Sequence, residues 1–300
     1  MTINHKEILG MLESHKPITE LSAGIQRRQE LIEKIIDLQN PGETKDLITI
    51  AHEFKELVKL NEEELNLRYL SKKYPYFKFE LEDRDIHAVL RSYLGKTLPD
   101  FPSGLKYLGI FDCENLEALR EFPPGLEILF IHDCDKIKVL PEFPPGLKYL
   151  RIEGCRNLGS IPELPSGLKE LNIYNCPNLG SVPEFPPGLK SLRITTCPNL
   201  GSIPELPSGL KDLSIWNCEN LEAIPEFPSS LKDLRITNCP NLGSVPEFPS
   251  SLKSLRITTC PNLGSIPEFP PGLETLRIYH CPNLTQETLD RIKEFNKKQS

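Results

Sequence analysis

Nine cysteines have the most chemistry to offer in this chain, and their spacing decides what that chemistry can be. Cys113, Cys134, Cys155, Cys176, Cys197, Cys218, Cys239, Cys260 and Cys281 follow one another at intervals of 21 residues without an insertion. Zinc needs four ligands converging on one point, but there is no Cys-x-x-Cys pair, and His280 beside Cys281 is the one close neighbour. An odd count would leave a disulfide framework one thiol over, and thiols stacked in register point in parallel, which suits the disulfide dihedral poorly. The pattern therefore predicts a small buried side chain with a weak S–H donor serving a turn, and neither a metal nor a cofactor is expected. His5, His15, His52, His87, His132 and His280 lack the serine or carboxylate spacing of a catalytic motif, and no glycine-rich phosphate loop occurs. The expectation is a protein that is not an enzyme.

The elements that must position these cysteines are themselves periodic. The unit from Phe185 reads FPPGLKSLRITTCPNLGSIPE, and the stretch from Ser191 to Glu205 recurs letter for letter from Ser254 to Glu268. A unit this short cannot bury an apolar face alone and must stack on its neighbours, which is the signature of a solenoid. Leu192-x-Ile194 alternates with period two and predicts a short strand. After it the chain turns at Cys-Pro-Asn and returns through Ile-Pro-Glu and Phe-Pro-Pro-Gly, where the prolines favour extended backbone and exclude a helix. All but three of the 29 prolines (Pro17, Pro41, Pro75) lie beyond residue 97, so the chain is two different materials joined near there.

Two further columns complete the unit. Phe101, Phe122, Phe143, Phe185, Phe227, Phe248 and Phe269, with Leu164 and Leu206 on two rungs, predict a buried ladder on the return leg. Glu121, Glu142, Glu163, Glu184, Glu205, Glu226, Glu247 and Glu268 form a solvated edge, whose stacked like charges call for compensation by nearby lysines.

The pattern LxxLxIxxCxxL followed by IPEFPPG resembles the leucine-rich repeat, over residues 98 to about 289. Its short proline-rich return leg is similar to the bacterial subtype of secreted type III effectors, among them effector ubiquitin ligases. Cysteine stands where that subtype carries asparagine, and the CPNL segments are similar to the repeat arms of plant disease-resistance proteins. The resemblance implies an α/β repeat fold with a parallel sheet on a concave face, an extended convex side, and partner recognition by the outward strand positions.

Those positions vary while the skeleton does not. The column between Leu and Ile carries Phe130, Arg151, Arg193, Arg235, Arg256 and Arg277; the column after Ile carries Phe111, Tyr174, Trp216 and Tyr279; the column before Leu begins Tyr107, Ile128, Tyr149, of which the two tyrosines are candidates. Aromatic residues and arginines dominate interface hot spots, and arginine grips carboxylates with two prongs. These twelve are the candidate partner-binding residues, with an aromatic N-terminal end, a basic C-terminal end, and an acidic protein surface as the expected partner.

The net charge of −7 argues against bulk binding to nucleic acid. No apolar run approaches the roughly 20 residues that span a bilayer, and the start, MTINHKEILGMLESHK, has no apolar signal core. The expected location is cytoplasmic, the host cytosol for a secreted effector.

Three segments are expected. Residues 1–97 read as an α-helical bundle, with Ile8, Met11 and Leu12 in a first helix, Leu21 to Leu38 in a second, Leu47 to Leu60 in a third, and Ile86, Val89, Leu90 and Leu94 in a fourth. Residues 98–284 hold nine repeats. Residues 285–300 form a capping helix with Thr285 as N-cap and Leu289, Ile292 and Phe295 against the last repeat. The leading functional reading is a non-catalytic recognition scaffold, a bacterial effector acting on host signalling. The alternatives are the targeting part of an effector ubiquitin ligase, although only 11 residues follow Leu289, and a consensus design without a natural partner.

Overall fold

In a computed structural model, residues 77–82, 85–98, 101 and 104–299 are described. The chain divides into two compact units, Met1–Pro75 with Phe79–Arg84, and Tyr76–Lys78 with Asp85–Ser300. The first three expected helices lie outside the described residues. Strand β1 spans Phe77–Glu82.

The second unit is a parallel-strand solenoid. Its strands are β2 (Asp85–Arg91), β3 (Tyr107–Phe111), β4 (Ile128–His132), β5 (Tyr149–Glu153), β6 (Glu170–Tyr174), β7 (Ser191–Thr195), β8 (Asp212–Trp216), β9 (Asp233–Thr237), β10 (Ser254–Thr258) and β11 (Thr275–Tyr279). Each pairs with the next in chain order, and from β3 onward partners are one repeat apart, for example Arg235 with Arg256 and Arg256 with Arg277. The unvarying spacing of the cysteines dictates this, because any insertion would shift one rung against the next. The inward Leu and Ile of β3 to β10, such as Leu192 and Ile194, are buried on every rung, each contributing about 1.5–3 kcal/mol.

Every one of these rungs ends in the same turn. The residue before the cysteine takes left-handed backbone, from Asp112 (φ 56°) through Asn217 (φ 54°) to His280 (φ 56°). Its amide points to the next rung, as in Asn217 N–H to Thr237 O at 3.0 Å. The cysteine thiol then donates to the carbonyl two residues back in all nine repeats, from 3.2 Å for Cys113 to Phe111 up to 3.7 Å for Cys218 to Trp216. Its own carbonyl accepts the amide three residues on, as from Leu200 to Cys197 at 3.1 Å. The thiols are all free and buried. Among the described residues the return legs contain no helix, as the prolines require.

On the return leg the phenylalanines stack inward, Phe122 on Phe143 and Phe227 on Phe248 both with ring centroids 6.0 Å apart. The glutamate edge is exposed along its length. The expected lysine compensation does not occur: among the described residues only Glu268 of that edge forms an ion pair, with Arg291 at 3.0 Å. The lysines sit at the start of the strands instead, and there they meet the two glutamates of their own column, Glu127 with Lys106 at 2.7 Å and with Lys148, and Glu274 with Lys253 at 3.0 Å.

Residues expected to form a fourth helix form β2, which pairs with β3 at an offset one residue shorter than a repeat, His87 against Tyr107. Ala88 and Leu90 point inward and are fully buried, whereas Leu94, read as part of a helical face, is 80% exposed. The open hydrogen-bonding edge of β3 outweighs a weak local helical spacing. At the other end, helix α1 (Gln286–Gln299) begins after Thr285, whose hydroxyl accepts the Thr288 amide at 3.3 Å. Phe295 meets Phe269 at 6.1 Å. Leu289 does not turn inward and is 37% exposed; Thr288, fully buried, takes that place.

Candidate partner-binding face

The twelve residues singled out by sequence sit on one side of the sheet, because strand side chains alternate and their Leu and Ile neighbours are buried on the other. They separate into three groups along the stack.

At the N-terminal end the aromatic side chains pack on one another. Tyr107 and Phe130 have ring centroids 5.4 Å apart, Phe130 and Tyr149 5.1 Å, and the Arg91 guanidinium lies 4.3 Å over the Phe111 ring. Gly109 leaves room there, since a Cβ would collide with the Phe111 ring. These aromatics are half-buried, so the group offers a continuous apolar platform with little loose side-chain entropy to lose on binding.

In the middle, polar side chains satisfy one another. Arg151 donates to Glu153 through Nε at 2.9 Å and Nη2 at 2.5 Å and stacks 4.7 Å over Tyr174. Asn172, almost fully buried, donates to the Tyr149 hydroxyl at 2.8 Å and accepts from Arg193 at 3.5 Å. Arg151 is thereby a fixed part of the surface and not a free cation.

At the C-terminal end the arginines are unpaired. Arg235, Arg256 and Arg277 stand in register on β9, β10 and β11 and are exposed. Among the described residues none of the three forms a hydrogen bond or ion pair. Adjacent parallel strands lie about 4.8 Å apart, so three like charges are held in a row at that pitch. Trp216 and Tyr279, 51% and 55% exposed, flank the row on the neighbouring column. Between Trp216 and Tyr279 in that column, Thr237 and Thr258 share a hydroxyl hydrogen bond of 2.9 Å. A row of unpaired guanidinium groups between exposed aromatic rings can clamp carboxylates or phosphates.

Within the cysteine ladder, burial suppresses the reactivity of the interior thiols. Burial pushes the Cys155 thiol up to about 12 and the Cys197 thiol up to about 11. At the C-terminal end the adjacent Cys260 side chain, and after it the backbone at Cys260 and Thr259, hold the Cys281 thiol down to about 7.

A further cluster went unnoticed in the sequence. His132 at the end of β4 lies among Asp112, Asp133 and Glu153, all within 3.8 Å of a ring nitrogen. Its signal was the column before the cysteine, which holds adjacent aspartates only at Asp112 and Asp133.

No protein-family model matches the chain, and no curated protein matches it. Among solved structures the chain is similar to the leucine-rich repeat domain of the type III effector XopL, at 18% identity over 94% of this chain and 97% of that one, with a TM-score of 0.48. It is similar to YopM from Yersinia enterocolitica WA-314, at 22% identity over 65% of this chain and 60% of that one, with a TM-score of 0.27. It is also similar to YopM of Yersinia pestis, a leucine-rich effector protein, at 19% identity over 90% and 97%, with a TM-score of 0.26.

Proposed function

We propose that this chain is a non-catalytic recognition scaffold that binds a partner protein on the outward face of its strands, with acidic groups of the partner on the row formed by Arg235, Arg256 and Arg277. The observation that carries this reading is the row itself: three in-register, exposed guanidinium groups without an ion pair among the described residues. Folding gains nothing from such an arrangement, since stacked like charges repel, and a complementary anion removes the repulsion. Trp216 and Tyr279 beside it supply apolar area, and the packed aromatics from Tyr107 to Tyr149 supply a second contact on the same side of the sheet. The effector role in a host cytosol follows from the resemblance of the repeat unit to that bacterial subtype.

The reading is tested with Arg235→Glu/Arg256→Glu in the full chain. Partners retained by the wild type from host-cell extract are identified, purified and titrated against both forms. Loss of two hot-spot residues of at least about 2 kcal/mol each should weaken binding by more than about 100-fold, and the wild-type affinity should fall as salt rises. Equal affinity of the two forms for every retained partner would sink the proposal.

A further inference from the structure

The cluster around His132 has the donors and the geometry of a metal site. Asp112 and Asp133 occupy the left-handed turn position on successive rungs, at φ 56° and 49°, and backbone bonds to the following rung fix both, Asp112 N–H to His132 O at 3.0 Å and Asp133 N–H to Glu153 O at 2.9 Å. The imidazole Nδ1 lies 3.8 Å from Asp112 Oδ1 and 3.2 Å from Asp133 Oδ2. One ligand atom from each of the three residues falls within 4.8 Å of the other two. Donors bound about 2.0–2.2 Å from a tetrahedral ion stand about 3.3–3.6 Å apart, which the observed separations bracket.

Three independent features point inward to a cation. Nδ1 of His132 is buried and has no hydrogen-bond partner, an expensive state for a ring nitrogen unless something else occupies its lone pair. The other ring nitrogen faces Glu153 Oε1 at 3.5 Å, and Glu153 is itself held by Arg151. A carboxylate behind the far nitrogen of a ligating histidine is the usual device that fixes the ring and its tautomer. The charges are also unbalanced: Arg91 reaches Asp112 at 3.8 Å, but among the described residues Asp133 has no cation other than His132. Gly154 contributes room, for a Cβ there would collide with Oδ1 of Asp133, and it is the only glycine in its column.

We propose that Asp112, His132 and Asp133 bind a divalent first-row ion of the zinc class, with His132 ligating through Nδ1 and Glu153 as the positioning residue behind it. One imidazole and two carboxylates suit such ions. Both aspartates are exposed, so the remaining coordination positions open to solvent, where water or a carboxylate of a bound protein can complete them. The site stands apart from the arginine row and does not depend on it.

The test uses the full chain, stripped with chelator, kept reduced, and titrated with Co²⁺ at about pH 7.5, where a free imidazole is mostly neutral. The expected result is one equivalent of cobalt with a nitrogen and oxygen ligand spectrum, no thiolate-to-cobalt charge-transfer band, and displacement by Zn²⁺. His132→Phe, which keeps a ring against Phe111, and Asp133→Asn should each lower the affinity at least tenfold. Glu153→Gln should lower it about 10- to 100-fold while leaving the stoichiometry at one. Failure to take up cobalt, uptake with a thiolate band, or unchanged affinity in a His132→Phe variant that melts like the wild type overturns the proposal. If His132→Phe does not fold, Asp133→Asn decides in its place, because that side chain lies on an exposed turn.

Discussion

Each rung closes on a residue in left-handed backbone, and two of these, Thr196 at φ 55° and Thr259 at φ 58°, carry a branched Cβ. In that region the branch crowds the following carbonyl, at a cost of roughly 1–2 kcal/mol that asparagine largely escapes. Neighbouring rungs show the alternative in place: Asn175, Asn217 and Asn238 hold the same position at φ 49°, 54° and 52°. Thr196 Oγ1 accepts from Asn217 Nδ2 at 3.3 Å, and an asparagine at 196 would offer its amide oxygen to the same donor, repeating the 2.9 Å bond from Asn238 to Asn217. Thr196→Asn and Thr259→Asn should therefore each stabilise the solenoid by about 1 kcal/mol. Three rungs separate them, about 14 Å at the strand pitch, so the gains add. For a cooperative unit of this size about 2 kcal/mol raises Tm by about 4–8 °C. Calorimetry in reductant measures this directly, with urea midpoints as a second reading. The converse change, Asn217→Thr, should lower Tm. A double variant melting at or below the wild type, or Thr196→Asn and Asn217→Thr shifting Tm the same way, would refute the strain argument.

Two further outcomes follow from the ionisation of particular groups. Brief alkylation of the folded chain near neutral pH should modify Cys281 first, since its thiol is held to about 7, while Cys155 and Cys197, raised to about 12 and 11, react only on unfolding; peptide mass spectrometry reads the order, and early modification of Cys155 contradicts it. Glu127, between Lys106 and Lys148, is held down to about 2 from an ordinary 4.5. Its folded pKa lies below its unfolded one, so its contribution is present above about pH 4.5 and is lost as pH falls towards 2. Glu127→Gln should therefore be less stable than wild type by up to about 1 kcal/mol at neutral pH, with the gap closing in acid; a gap in urea midpoint that stays constant with pH rules this out.

The repeat was legible because one rigid interval governs core, turn and register together. Once Cys197 follows Cys176 by the same count as every other pair, Leu192, Ile194 and Phe185 have no freedom left to fall elsewhere. The return leg was legible for a similar reason, its prolines leaving extended backbone as the one regular conformation open to it. β2 was hidden because Ile86, Val89 and Leu90 satisfy a helical spacing equally well, and what selects the strand is the unpaired edge of β3, a property of another segment. Columns told which residues share a face but not which of them neutralise one another. Arg151 and Arg256 occupy equivalent places, yet Glu153 follows the first two residues on and Thr258 follows the second, so one arginine is tied down and the other is not. His132 escaped notice because its partners come from two successive turns, which no reading of a single unit brings together.

The identical stretches Ser191–Glu205 and Ser254–Glu268 stand three rungs apart, make the same left-handed turn and bury the same Leu, Ile and Cys positions. A chain that left one at any residue and resumed at its counterpart in the other would keep the backbone ladder and the Leu, Ile and Cys core in register, and would lose only side-chain bonds between rungs such as those of Asn217 with Thr196 and Thr237 with Thr258. Such an excision removes three whole rungs, among them those carrying Trp216 and Arg235, and shortens the arginine row without disturbing what lies beneath it. Loss of whole units is thus compatible with the buried skeleton, while the outer face changes its composition with each unit lost.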